Sequence, residues 1–296
     1  MSSAASISAL QERSDAKGLV HLAGHLALLL ATGYLVARAQ GWWLLPAALF
    51  HGIVLIFLFA PLHETVHRTA FKSRWLNDGI AFAIGLLLIL PRDYFRAFHF
   101  AHHRHTQDPA RDPELSSPRP ATRGQWLLYV SGLPYWRWQI QGLVMRALGK
   151  VGEEFYGNNA QRQKVVAESR LVIAIYAAIL IASLVLESDV AWRYWLLPAL
   201  LGQPFLRLYL LAEHWGCPLS PADSPIAMLL RSRTTYTNRA MRFLAWNMPF
   251  HAEHHAFPAL PFHALPRAND LVRDQLGTTS PGYLAATGWI LARLKA

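Results

Sequence analysis

Four apolar runs decide what this chain can fold into. They are LVHLAGHLALLLATGYLVA (19–37), WLLPAALFHGIVLIFLFAPL (43–62), RLVIAIYAAILIASLVLE (170–187) and WRYWLLPALLGQPFLRLYLLAEHW (192–215). Each has about the length, roughly 20 residues at about 1.5 Å of rise, that carries a helix across about 30 Å of hydrocarbon. No run alternates like a barrel strand, so helix is the only spanning structure these lengths allow. Composition agrees: 53% of the 296 residues are hydrophobic and only 16% charged, too apolar for an ordinary soluble domain.

The connections RAQGW and SDVA are short, so the runs should pair as two hairpins. The expected fold is all-α and integral to the membrane, with four transmembrane helices. Both hairpins return the chain to its starting side, which places the N-terminus and residues 63–169 and 216–296 together as a cap. Of 28 Lys and Arg, only Arg38 and Arg193 lie in or beside the short connections, so the loaded face is cytoplasmic by the positive-inside rule. The net charge of +10 is thereby read as orientation, and no aromatic-basic motif suggests nucleic acid. The polar opening MSSAASISALQERSDAKG lacks the layout of a cleavable signal peptide.

Two further apolar stretches fall short of a span. GIAFAIGLLLIL (79–90) ends at Pro91, and WLLYVSGLPYWRWQIQGLVMRALG (126–149) is broken at Gly132 and Pro134; both should lie in the interface. The tail SPGYLAATGWILARLKA reads as a short amphipathic helix on the same surface. The single cysteine, Cys217, excludes a disulfide framework, a four-cysteine zinc site and a fused iron–sulfur domain, and is read as a packing residue.

Chemistry enters through histidine. Ten of the 14 fall in four places: HETVH (63–67), HFAHHRH (99–105), AEHWG at His214, and HAEHH (251–255). His63 and His67 are four apart, and His99 and His251 each pair with histidines three and four residues on, so each cluster presents imidazoles along one helix face. The topology puts all of them on the cytoplasmic side, free to converge. Eight or nine imidazoles exceed what one ion can take, which points to two metals; imidazole suits iron, copper and zinc alike. HETVH also spells the zinc-protease motif, with Glu64 as base and Asp78 of NDG as a third ligand, but one zinc would leave most of the other histidines unexplained.

In that order, HETVH, HFAHH and HAEHH resemble the signature of the membrane fatty acid desaturases and related hydroxylases, one HxxxH and two HxxHH boxes around a di-iron centre. The flanking text HETVHRTAFKSRWLN, HHRHTQDPARDPEL and RSRTTYTNRAMRFLAWNMPFHAEHHAFPALPFHALP is similar to bacterial members, and the resemblance covers residues 40–275. It implies one desaturase-like domain over 1–296 in a bacterial inner membrane, with active site and both termini cytoplasmic. By the match, His63, His67, His99, His102, His103, His251, His254 and His255 would bind two iron ions, with His214 as the ninth ligand and His105 outside the boxes.

The implied reaction is O2-dependent removal of two hydrogens from an acyl or similar apolar chain. With one cysteine and no HPGG-type haem segment, electrons should come from a separate ferredoxin, rubredoxin or cytochrome b5, for which a basic face suits an acidic carrier. Hydroxylation or ketone formation at the same irons is the alternative outcome; a zinc protease, or metal storage without catalysis, are the other readings. Glu64, Glu213, Glu253 and Asp108 neighbour the boxes and could accept an imidazole N–H, and Asn247 could donate or cap. The lone His21, His25, His51 and His263 are read as hydrogen-bonded packing residues, and Arg207 as snorkelling to the headgroups.

Overall fold

The computed structural model describes residues 7–152, 157–220 and 224–295; residues 1–6 and 296, part of the expected cytoplasmic termini, lie outside them. Four helical stretches are long and apolar enough to cross a membrane: Asp15–Arg38, Gly41–His67, Asn159–Val185 and Trp192–His214. The first is α1 (Asp15–Arg38), opened by Ser14, whose hydroxyl accepts from the Lys17 N–H. The second breaks at Phe57 and Leu58 into α2 (Leu44–Ile56) and α3 (Phe59–His67), so HETVH continues the span rather than following it. Arg68, left-handed at φ 61°, ends α3.

The stretch at 79–90 becomes the end of α4 (Arg74–Leu87), which meets α5 (Arg92–His105) at 101°. Ile89 takes a left-handed φ of 53° and the Leu90 N–H returns to the Gly85 carbonyl at 2.8 Å. The chain therefore turns sharply here and delivers HFAHH on a new helix. Residues 126–149 split at Gly132 (φ 74°) into α6 (Arg123–Val130) and α7 (Leu133–Ala147), the break expected from Gly132 and Pro134.

Helix α8 (Asn159–Val185) begins well before its apolar run, capped by Asn158 on the Gln161 N–H; at about 1.5 Å per residue it is longer than the hydrocarbon is thick. It packs along α7 and on α5. A π turn at Trp192–Leu196 leads into α9 (Leu197–His214), whose closest partner is α2. The two backbones meet at Gly52 and Gly202: a Cβ at Gly52 would lie 2.0 Å from the Pro198 carbonyl oxygen, and one at Gly202 2.2 Å from that of Gly52. Small residues at this crossing are what let two spans approach so closely.

Beyond α9 come α10 (Pro225–Arg231), β1 (Arg233–Thr235), α11 (Arg239–Leu244), α12 (His251–Ala256), α13 (Leu265–Val272), β2 (Thr278–Ser280) and α14 (Tyr283–Leu291). The all-α expectation is thus amended by one small parallel pair, β1 on β2, with Arg233 opposite Thr278. These Thr-rich triplets are β-branched but too short to show as strands in sequence. The tail helix α14 buries Ala286 and Ile290 and leaves Leu284 exposed, and Ile290, with Leu294 just past the helix, packs against Leu211 of α9.

Of the four lone histidines, His21, His25 and His51 are hydrogen-bonded as expected, while His263 Nε2 is buried without a partner. His25 Nε2 lies 3.0 Å from the Val54 carbonyl; His51 bridges the Thr32 hydroxyl at 2.9 Å and the Tyr194 carbonyl at 3.1 Å; His21 reaches the Phe243 carbonyl at 2.8 Å. Each bond offsets part of an imidazole's polar cost by pairing it across two elements, and His25 Nδ1 stays buried without a partner.

Candidate metal centre

The four histidine segments converge from α3, α5, the last residue of α9, and α12. Two groups could hold a metal ion: His63, His67, His99, His103 and His254, and then His102, His214 and His255. His251 joins the second, its Nε2 3.0 Å from that of His214. The boxes divide in a regular way. The i, i+4 pairs His63/His67 and His99/His103 serve the first group and His251/His255 the second, while the remaining imidazole of each HxxHH box, His102 or His254, crosses to the other. Adjacent helix positions point about 100° apart, so neighbours such as His102 and His103 necessarily face different centres. His105 belongs to neither group.

In the first group four Nε2 atoms form a closed ring: His63 to His99 at 3.1 Å, His99 to His103 at 3.0 Å, His103 to His254 at 3.2 Å and His254 to His63 at 2.7 Å. The centre of such a ring is about 2 Å from each nitrogen, the length of a metal–imidazole bond. In the second group the His102 and His214 Nε2 atoms are 3.2 Å apart. Nitrogens that converge this way, with no carboxylate between them, fit a cation better than they fit each other. Burial, reinforced by neighbouring imidazoles, pushes His254 down to about 3 and His251 and His255 well below the ordinary value, so these rings are neutral at physiological pH, the form that ligates.

Three of the four outer nitrogens of the second group are tied down: His102 Nδ1 lies 2.9 Å from Asp112 Oδ1, His255 Nδ1 3.1 Å from the Thr106 hydroxyl and His214 Nδ1 3.2 Å from the Arg231 carbonyl. His251 Nδ1 faces Glu213 Oε1 at 3.4 Å without a hydrogen bond. Where the proton is held on Nδ1, Nε2 turns its lone pair inward. Burial raises the Asp112 carboxyl, but the hydrogen bonds from His102 and from the Gln107 and Glu114 N–H groups outweigh it and hold the group below the usual carboxylate range.

Of the five carboxylates and amides expected beside the boxes, Glu213 does meet an imidazole. The others find different partners. Glu64 accepts from the Thr69 hydroxyl at 2.8 Å and the Phe262 N–H at 3.2 Å, clamping the end of α3 to the loop after α12. Asn247 reaches the same loop at the Phe262 carbonyl and accepts from Arg242. Glu253 accepts from Thr234 and Asn269, locking α12 to β1 and α13. Asp108 binds the Ala110 N–H and Arg111 within its own loop, leaving Asp112, four residues on, to meet His102. Nothing in QDPARDPEL alone chooses between the two aspartates; the turn that folds the Asp112 N–H onto the Asp108 carbonyl does.

The protease layout fails on geometry. Asp78, its third ligand, pairs with Arg68 at 2.9 Å, and Glu64 is bound to Thr69 and Phe262. A cavity of about 240 Å³ runs from His214 and Glu213 between Phe59, Phe95 and Tyr135, so an apolar ligand can reach the centre from within the helix bundle.

Sequence comparison agrees with this geometry. A family model described as fatty acid desaturase matches residues 40–287. The chain is 26% identical to an sn-1 oleoyl-lipid 12-desaturase of Synechocystis, over 84% of this chain and 74% of that protein. It is 25% identical to the dihydrorhizobitoxine desaturase of Bradyrhizobium elkanii, over 92% and 78%, and 24% identical to a sphingolipid delta(4)-desaturase of Drosophila melanogaster, over 86% and 74%.

Proposed function

The chain belongs to the fatty acid desaturase family and is an oxidoreductase of that kind, and from this premise we propose that it is an O2-dependent di-iron desaturase that introduces a double bond into a fatty acyl or similar apolar chain. The observation that carries the reading is the convergence of nine imidazoles, all but His67 buried, on two abutting centres at the end of an apolar cavity. His63, His67, His99, His103 and His254 would hold one iron, and His102, His214, His251 and His255 the other. Iron bound there would supply, with O2 and two electrons, the oxidant that an unactivated C–H bond requires.

The rest is the protein's geometry. Asp112, Thr106 and the Arg231 carbonyl orient three imidazoles of the second group. Phe59 and Phe95, tilted against each other with ring centroids 5.4 Å apart between cavity and cluster, present apolar walls that keep bulk water from the reacting carbons. The aromatic cavity sets which carbon pair reaches His214, and positioning of this kind decides whether a second hydrogen is lost.

We read the four spans as two hairpins beneath a cytoplasmic cap formed by 63–169 and 216–296, in a bacterial inner membrane, one domain throughout. The donor would be a separate ferredoxin, rubredoxin or cytochrome b5 docking on the basic face, with salt-sensitive affinity.

Expression in a bacterial host, followed by mass spectrometry of total lipid and free-acid extracts, tests this. The expected result is a product two hydrogens lighter than its precursor, formed only with O2 and absent in a His254→Ala strain. A product heavier by one oxygen would instead assign hydroxylation.

A further inference from the structure

The cavity that ends at the metal centre has a charge at its other end. Arg207 sits on α9 seven residues before His214, about 10 Å of helical rise away, inside the Trp192–His214 span. Half-buried, it lines the cavity, with its guanidinium carbon 4.2 Å from the Tyr135 ring centroid and 5.8 Å from that of Tyr129. Its Nε is buried without an acceptor, and none of the ion pairs among the described residues includes it.

The cavity's carboxylates are engaged at the metal end, Glu213 3.4 Å from His251 Nδ1 and Glu114 3.7 Å from His102 Nδ1. Its second arginine, Arg119, donates to the His214 carbonyl.

A guanidinium within a membrane span is costly, and aromatic faces offset that cost only in part. A substrate that brings an anion supplies the missing partner, and the planar fork of arginine suits a carboxylate or phosphate in two-point contact. Resting on the desaturase reading above, we propose that the cavity takes a compact amphiphile whose anionic group pairs with Arg207, and whose apolar chain extends about 10 Å toward His214. The substrate is then a free acid or alkyl phosphate held inside the bundle, and a glycerolipid anchored by a headgroup outside it is the class excluded.

The test is equilibrium binding of radiolabelled decanoate, decyl phosphate and uncharged decanol to the purified full-length protein in nanodiscs. The wild type should prefer one of the anions over decanol by at least about tenfold. Arg207→Gln should reduce that preference to within about twofold while decanol binding persists, and Arg207→Lys should retain part of it. Decanoate against decyl phosphate distinguishes the two sources of the anion. Equal binding of acid, phosphate and alcohol by the wild type would overturn the proposal even if the glutamine variant failed to fold. Metal content measured on the same samples is independent: loss of the two-iron count would overturn the reading of the centre and leave the anion preference standing.

Discussion

His254→Ala should strip the first metal position and lower product formation by more than about 100-fold, since even an outer partner of a ligand is worth 10- to 100-fold. His254 closes the ring of nitrogens, 2.7 Å from His63 and 3.2 Å from His103, and it is the imidazole of the last box that crosses from α12 into the group supplied by α3 and α5. Its loss therefore opens the first centre and uncouples α12 from the other two helices. Because the residue is fully buried, a folding defect has to be separated from a ligand defect. His25→Ala is the control: His25 is equally buried, bonded to the Val54 carbonyl, and should cost stability while leaving metal content at the wild-type level. Elemental analysis and thermal unfolding of both variants decide the matter; full metal retention by His254→Ala would remove it from the ligand set.

Asp112→Asn should cost about 10- to 100-fold in metal affinity at the second centre. The carboxylate accepts three hydrogen bonds, from His102 Nδ1, the Gln107 N–H and the Glu114 N–H, and its side chain is fully buried. An asparagine of the same size has one acceptor oxygen and an NH2 group, so at least one donor is left facing another donor, and the negative charge that favours the Nδ1–H tautomer is gone. Asp108→Asn, four residues earlier, changes only a loop contact to Ala110 and Arg111 and should leave affinity within about twofold. Chelator competition followed by metal analysis reads both. Equal losses in the two variants would show loop damage in place of a tuned ligand.

How much of this was legible in sequence follows from the physics of each feature. The spans were, because length and hydropathy are properties of a run of residues taken alone. The convergence of the boxes was, because helical spacing fixes a face and the parity of two hairpins fixes a side. The assignment of each histidine to one of two centres was not, since it depends on how α5 and α12 rotate against each other; the spacing shows that His102 and His103 diverge and not toward which metal. The orienting partners were least legible. Thr106, Ser232 and the Arg231 carbonyl reach their imidazoles across loops and strands distant in sequence, and proximity to a box selected Asp108 where the turn presents Asp112. The surroundings of Arg207 were not legible either: near the end of a span, sequence favours snorkelling, and only the fold brings Tyr129 of α6 and Tyr135 of α7 beside its guanidinium.

The central claim is that nine imidazoles divide between two metals, both iron. Elemental analysis of the detergent-purified protein, with Mössbauer spectroscopy on material from iron-57-grown cells, measures it directly. Two iron atoms per chain with a coupled spectrum are the predicted result; one zinc per chain without iron would contradict it.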